Sequence, residues 1–156
     1  MKTTFLVRLN MKKIVLTFIV IFILIQFIPY GRDHINPKVV AEPKWDSPQT
    51  RKLFMRACAD CHSHEVKWPF YSYVAPISWL VQHDVDEGRE HFNISMWGVQ
   101  KKNDGDESSE EFREGEMAPW FYLMVHPEAK FSKTEKAQFI KGLVATFGEK
   151  DKEDEH

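Results

Sequence analysis

From Ile14 to Tyr30 the chain reads IVLTFIVIFILIQFIPY, an apolar run interrupted only by Thr17, Gln26 and the terminal tyrosine hydroxyl. Seventeen residues is the short end of what crosses a bilayer as a helix. A helix buried in a soluble core would seldom be apolar on every face. The pattern predicts a single transmembrane anchor over 14–30, behind a cytoplasmic N-terminus over 1–13 that holds Lys2, Arg8, Lys12 and Lys13. A cleaved signal peptide is the alternative: Pro29-Tyr30-Gly31 makes a poor cleavage site, and Val39 and Ala41 suit one but lie far from the apolar run. Met11, followed by two lysines, is a second candidate start. Both readings export the remainder, so the expected location is the inner membrane, with the rest of the chain facing the periplasm.

Beyond the apolar run, residues 31–44 contain Pro37 and Pro43 and no periodic pattern, and read as a linker. Ser47 is an N-cap candidate and Pro48 suits a first helical position, which predicts a helix carrying Leu53, Phe54 and Ala57 on one face. WPFYSYVAP, Trp68 to Pro76, reads as a folded aromatic loop packed over something flat and apolar, or, as composition alone favours, as an ordinary aromatic mini-core. Pro76 opens a second helix running towards His91 or Phe92. KKNDGDESSEEFREGE, Lys101 to Glu116, is mostly charged and is expected to be a solvated excursion with one short helix around Phe112 and no chemistry. Ser132 with Glu135 forms a capping-box signature, followed by Phe139, Ile140, Leu143 and Phe147 on one helical face and Gly148 as terminator. Residues 149–156 have no apolar residue to bury and are expected to be disordered. No β-branched alternation appears, so an all-α domain is expected over 45–148.

Composition narrows the function. Without the four N-terminal cations, 17 basic residues face 23 acidic ones, a net charge of −6 for the part beyond the apolar run. That sign, with no basic patch interleaved with aromatics, argues against a nucleic-acid partner. Only two cysteines occur, three positions apart, so a disulfide-stapled scaffold is excluded.

Those cysteines lie in Cys58-Ala59-Asp60-Cys61-His62, the C-x-x-C-H spacing of haem c attachment. Two thiols at this spacing reach two vinyl groups on one porphyrin edge, and the next residue then lies beneath the iron as a proximal imidazole. A thioredoxin-like dithiol would want this motif after a strand. A zinc site would need further ligands, for which His64, His83, His91 and His126 are available. A local disulfide would leave His62 unexplained. For the distal iron ligand, Met117 stands in a loop bounded by Gly115 and Pro119, just before the last helix, as a thioether in small electron-transfer cytochromes does. Met55, Met96 and Met124 read as gap-fillers. Met124, His126, His83 and His91 remain alternative ligands.

The run Cys58 to Ser63, then Trp68, Tyr71-Ser72-Tyr73, Pro76, Ser78-Trp79, Gly88-Arg89, Asn93, Ser95, Trp97, Gly115-Glu116-Met117, Pro119-Trp120 and His126-Pro127 resembles the family of small membrane-tethered haem-binding domain proteins. Its order of helix, C-x-x-C-H, variable middle, methionine loop and terminal helix is also similar to class I cytochromes c. The resemblance covers roughly 45–148. One departure is Ala118, where that loop would have a proline directly after the methionine. The resemblance implies a cytochrome c-like fold with its first and last helices crossing, one covalent haem c with its iron, and single-electron transfer rather than catalysis. The acidic exported part implies redox partners with basic docking surfaces. The alternatives are a haem-based sensor or peroxidase-like enzyme with an open axial position, using His83 or His91 with Asp84, and a haem subunit of a larger membrane complex.

Overall fold

The N-caps read from the sequence set the two helices that matter most. Ser47 Oγ accepts the Thr50 N–H at 3.2 Å and starts α2 (Pro48–Ala57), while Ser132 and Glu135 exchange both bonds of a capping box and start α7 (Lys133–Phe147). The computed structural model describes residues 2–150, with side chains from Asn10 onward. Among the described residues the regular structure is helical: besides α2 and α7 there are α1 (Lys2–Ile25), α3 (Ala59–His62), α4 (Ile77–His91), α5 (Ser108–Glu114) and α6 (Trp120–Val125). Single 3₁₀ turns stand at Phe70–Tyr73, Gly105–Glu107 and Pro127–Ala129. Among the described residues an isolated parallel bridge joins Ala41 and Met96.

The chain divides into two units and passes from one to the other three times. The first comprises residues 1–34 and 68–83. Here the anchor expected over 14–30 is corrected, because no helix among the described residues is long and apolar enough to cross a membrane. The helical part of the apolar run stops at Ile25, twelve residues after its start. At 1.5 Å per residue that is about 18 Å, against a hydrocarbon thickness of about 30 Å. Just past Ile25, Gln26 Oε1 accepts the Ala75 N–H at 3.1 Å, and Nε2 donates to the Ala75 carbonyl at 2.9 Å and to the Phe22 carbonyl at 3.0 Å. The inner-membrane, single-pass location, with a haem domain facing the periplasm, rested on that span and is withdrawn with it. Of its two readings, the aromatic loop matches the small aromatic core. It packs on His34, whose ring stacks on Trp68 at 4.5 Å and meets Tyr73 edge-on at 4.3 Å, while Phe70 points to solvent.

The second unit comprises residues 35–67 and 84–156, of which 151–156, most of the tail read as disordered, lie outside the described residues. Its core gathers Leu53 and Phe54 of α2, Phe92, Ile94, Phe112 of α5, and Phe139 and Leu143 of α7. The first and last helices of this unit cross, as the residue order implied. They approach so closely at Gly142 that a Cβ there would collide with the Thr50 side chain. Residues 35–44, part of the segment read as a linker over 31–44, are held by hydrogen bonds. Val40 and Ala41 N–H donate to the Ser95 carbonyl, and Asn36 exchanges two bonds with Val66.

Candidate functional site

Helix α2 ends at Cys58, whose N–H donates to the Phe54 carbonyl at 2.8 Å, and the chain turns at once into α3, so Cys58, Cys61 and His62 leave one tight turn. Several bonds pin that turn. Ser63 Oγ donates to the Ala59 carbonyl at 2.6 Å, Arg89 Nε donates to the Ser63 carbonyl at 2.9 Å, and Asp60 Oδ1 accepts the Lys67 N–H at 3.0 Å. Helix α4 lies against it at Gly88, where a Cβ would stand 2.7 Å from the Cys61 carbonyl oxygen and 2.8 Å from the Cys61 Cβ. Only glycine permits that approach.

The turn faces a cavity of about 330 Å³, within the range of cofactor and ligand pockets. Cys58, Cys61, His62 and Met117 all line it, so the four residues read as haem ligands share one space. Its apolar lining includes Phe54, Phe92, Phe112, Phe121, Phe139 and Leu143, and its charged lining includes Asp84, Glu87, Asp104, Glu107 and Glu111. No residue of the aromatic loop is in this lining.

The electrostatics of the turn are those of neutral donors. Burial pushes both cysteine thiols up to about 12, with Cys61 and Asp60 adding to it at Cys58, and Asp84 and Asp60 adding to it at Cys61. Such thiols are not the reactive thiolates of a dithiol oxidoreductase. His62 is 7% exposed, and burial lowers its pKa, which keeps the imidazole neutral. Its Nδ1 lies 3.1 Å from the Phe92 carbonyl, an acceptor only, so Nδ1 carries the proton and the lone pair is on Nε2. The ring stacks on Phe92 at 4.3 Å, which fixes its plane.

The opposite wall is built differently. Gly115 ends α5 in a left-handed conformation, the Met117 N–H donates to the Glu111 carbonyl at 3.2 Å, and α6 follows Pro119. Met117 is 40% exposed, and none of the six residues of α6, WFYLMV, is buried. Tyr122 reaches across to the cysteine turn: its hydroxyl donates to Asp60 Oδ2 at 2.8 Å, and burial followed by the Asp60 charge drives its pKa upwards.

Several of these residues were missed in the sequence. The acidic excursion assigned no chemistry supplies Asp104, Glu107 and Glu111 to the cavity; Phe112, three residues from the fully buried Ser109, was the available signal that one side of that helix faces inward. Nothing in the sequence pairs Tyr122 with Asp60. Of the alternative ligands and acid–base residues, His91 and Asp84 line the cavity, but His91 Nδ1 pairs with Asp104 at 3.0 Å. His64, His83, Met124 and His126 are not in its lining.

Among the described residues no three His, Cys, Asp or Glu side chains converge to hold a bare metal ion. A largely apolar cavity with two neutral thiols, an oriented imidazole and a thioether instead suits a planar, metal-containing cofactor that brings most of its own ligands. The fold and site thus define an all-α cofactor-binding domain. The chain belongs to the haem-binding domain family, whose model matches residues 20–145, and haem is its cofactor. No curated relative and no solved structure matches the chain.

Proposed function

We propose that this protein is a monohaem electron carrier of the c type. Cys58 and Cys61 would hold haem through two thioethers, His62 Nε2 would bind the iron on one face, and Met117 would bind it on the other. The observation that supports this most is the single pinned turn that brings two half-buried thiols and an Nδ1-anchored imidazole to one apolar cavity also lined by Met117. The haem iron supplies single-electron exchange. The protein's part is to fix the imidazole plane through Phe92 and to keep water from the aromatic side of the cavity. Asp84, Glu87, Asp104, Glu107 and Glu111 at the cavity favour redox partners that carry a basic docking surface, so electron transfer should slow as salt rises.

Acidified-acetone extraction of the purified protein tests the attachment. Haem should stay with the polypeptide and add its mass to the chain, and haem recovered in the solvent would overturn the thioethers. A second reading, a sensor or peroxidase-like enzyme with an open axial position, draws support from the exposure of Met117 and from the His91–Asp104 pair beside the cavity. The ferric spectrum separates the two: the weak long-wavelength band of methionine-bound iron supports the carrier, and a high-spin spectrum supports the open site.

A further inference from the structure

The segment that carries Met117 has few attachments of its own. Met117 is held at its backbone by Glu111, and α6 after it contributes no buried residue. Packing alone therefore does little to hold this wall closed over the cavity. One side chain of α6 makes a directed bond to the opposite wall, that of Tyr122 to Asp60. Both ends of this bond are themselves oriented. The Tyr122 ring stacks on His126 at 4.1 Å with 15° between planes, and His126 Nδ1 in turn lies 2.9 Å from Glu128 Oε1. Asp60 has its other oxygen engaged by the Lys67 N–H, inside the turn that bears both cysteines. The acceptor is a carboxylate, which makes this the stronger class of hydrogen bond.

We propose that Tyr122 is a positioning residue, a latch that fastens the Met117 segment to the Cys58–His62 turn and thereby sets how readily an outside ligand gains the position assigned to Met117. The proposal rests on the haem reading above for its consequence at the iron, but the latch itself is a property of the polypeptide. An outside ligand can enter only in the fraction of molecules whose Met117 segment has swung away, so its apparent affinity scales with that fraction. Removing the phenolic oxygen deletes the bond and leaves the ring to stack on His126 and line the cavity.

Two measurements test it. In the ferric haem-loaded protein, imidazole titrated into Tyr122→Phe should bind about tenfold or more tightly in apparent affinity than in the parent, the size expected from losing a hydrogen bond to a charged group. Asp60→Asn, which keeps the shape, should move the affinity in the same direction. The double variant should show no more than the Tyr122→Phe effect, because both changes break one bond. Unchanged imidazole affinity in Tyr122→Phe, or additive effects in the double variant, would overturn the latch. In the haem-free full chain, the Leu123 and His126 amides, bonded to the Pro119 and Tyr122 carbonyls at 3.1 and 2.9 Å, report opening of α6. Their hydrogen exchange should quicken about tenfold in Tyr122→Phe, and equal exchange rates would overturn the latch whatever the iron shows. A parent protein that gives no iron spectrum would defeat the haem c reading alone and leave this second measurement standing.

Discussion

The two walls of the cavity are made on opposite principles. The cysteine turn is locked from several directions: Ser63, Arg89 and Asp60 hold its backbone, Phe92 holds the His62 ring, and α4 presses on it at Gly88. The Met117 wall has a backbone bond to Glu111, one side-chain bond to the turn and a helix with nothing buried. A group held through the first wall is committed, because moving any donor there disrupts the core beneath. A donor on the second wall can be exchanged at little cost to the fold. Under the proposed function, the site would be rigid where attachment is permanent and yielding where a ligand is chosen or released.

The sharpest way to test the contrast is at the core under the rigid wall. Phe54, whose carbonyl accepts the Cys58 N–H, is 1% exposed and lines the cavity, so Phe54→Ala should cost about 3–5 kcal/mol in chemical denaturation and reduce haem loading with it. A loss below about 1 kcal/mol would mean that wall is less tightly built than its packing indicates. Gly88→Ala comes next. Its Cβ must push Cys61 backbone aside, and overpacking of this kind costs about 1–3 kcal/mol, read as a lowered melting temperature and incomplete attachment at Cys61. Met117→Ala is the counter-experiment on the yielding wall. Stability should change by about 1 kcal/mol or less while the iron becomes high-spin or water-bound. If it destabilises as much as Gly88→Ala does, the two walls are not different in kind.

The smallest effect is expected where α2 meets the start of α7. Arg56 Nη1 donates to Glu135 Oε1 at 2.7 Å, and this bond, followed by the Ser132 cap, holds the Glu135 carboxyl at about 2, well below its usual value near 4.5. A carboxylate depressed by folding contributes stability that is complete above about pH 4.5 and is lost as pH falls towards about 2. Glu135 is at the surface, so solvent screens the pair and the contribution is modest. Unfolding curves collected across that window should be flatter in Glu135→Gln than in the parent, and parallel curves would show that the pair adds nothing.

How much of this was legible in the sequence varied with the range of the signal. The Ser47 and Ser132 caps, the inward faces of α2 and α7, and the helix from Ile77 to His91 could be read directly, because capping and periodicity act within one or two turns of chain. The C-x-x-C-H turn was legible for the same reason: its chemistry is packed into five consecutive residues. The apolar run was misjudged because hydropathy counts residues without knowing where the helix stops, and Pro29, which has no N–H to donate and crowds the carbonyl four residues back, coincides with the stop at Ile25. The acidic excursion was misjudged because charge describes its outer side, whereas Phe112 and Ser109 turn inward.

By itself, then, the sequence determined where helices begin, which faces are apolar and which turn carries the thiols and the imidazole, since these depend on neighbours in the chain. Only the tertiary structure decided which tautomer His62 adopts, which glycine lets α4 reach Cys61, which acidic residues line the cavity and that Tyr122 fastens the Met117 segment to Asp60. The tautomer, the glycine and the fastening depend on partners 30, 27 and 62 positions apart in the chain, and such pairings arise from how helices pack, which no local pattern records.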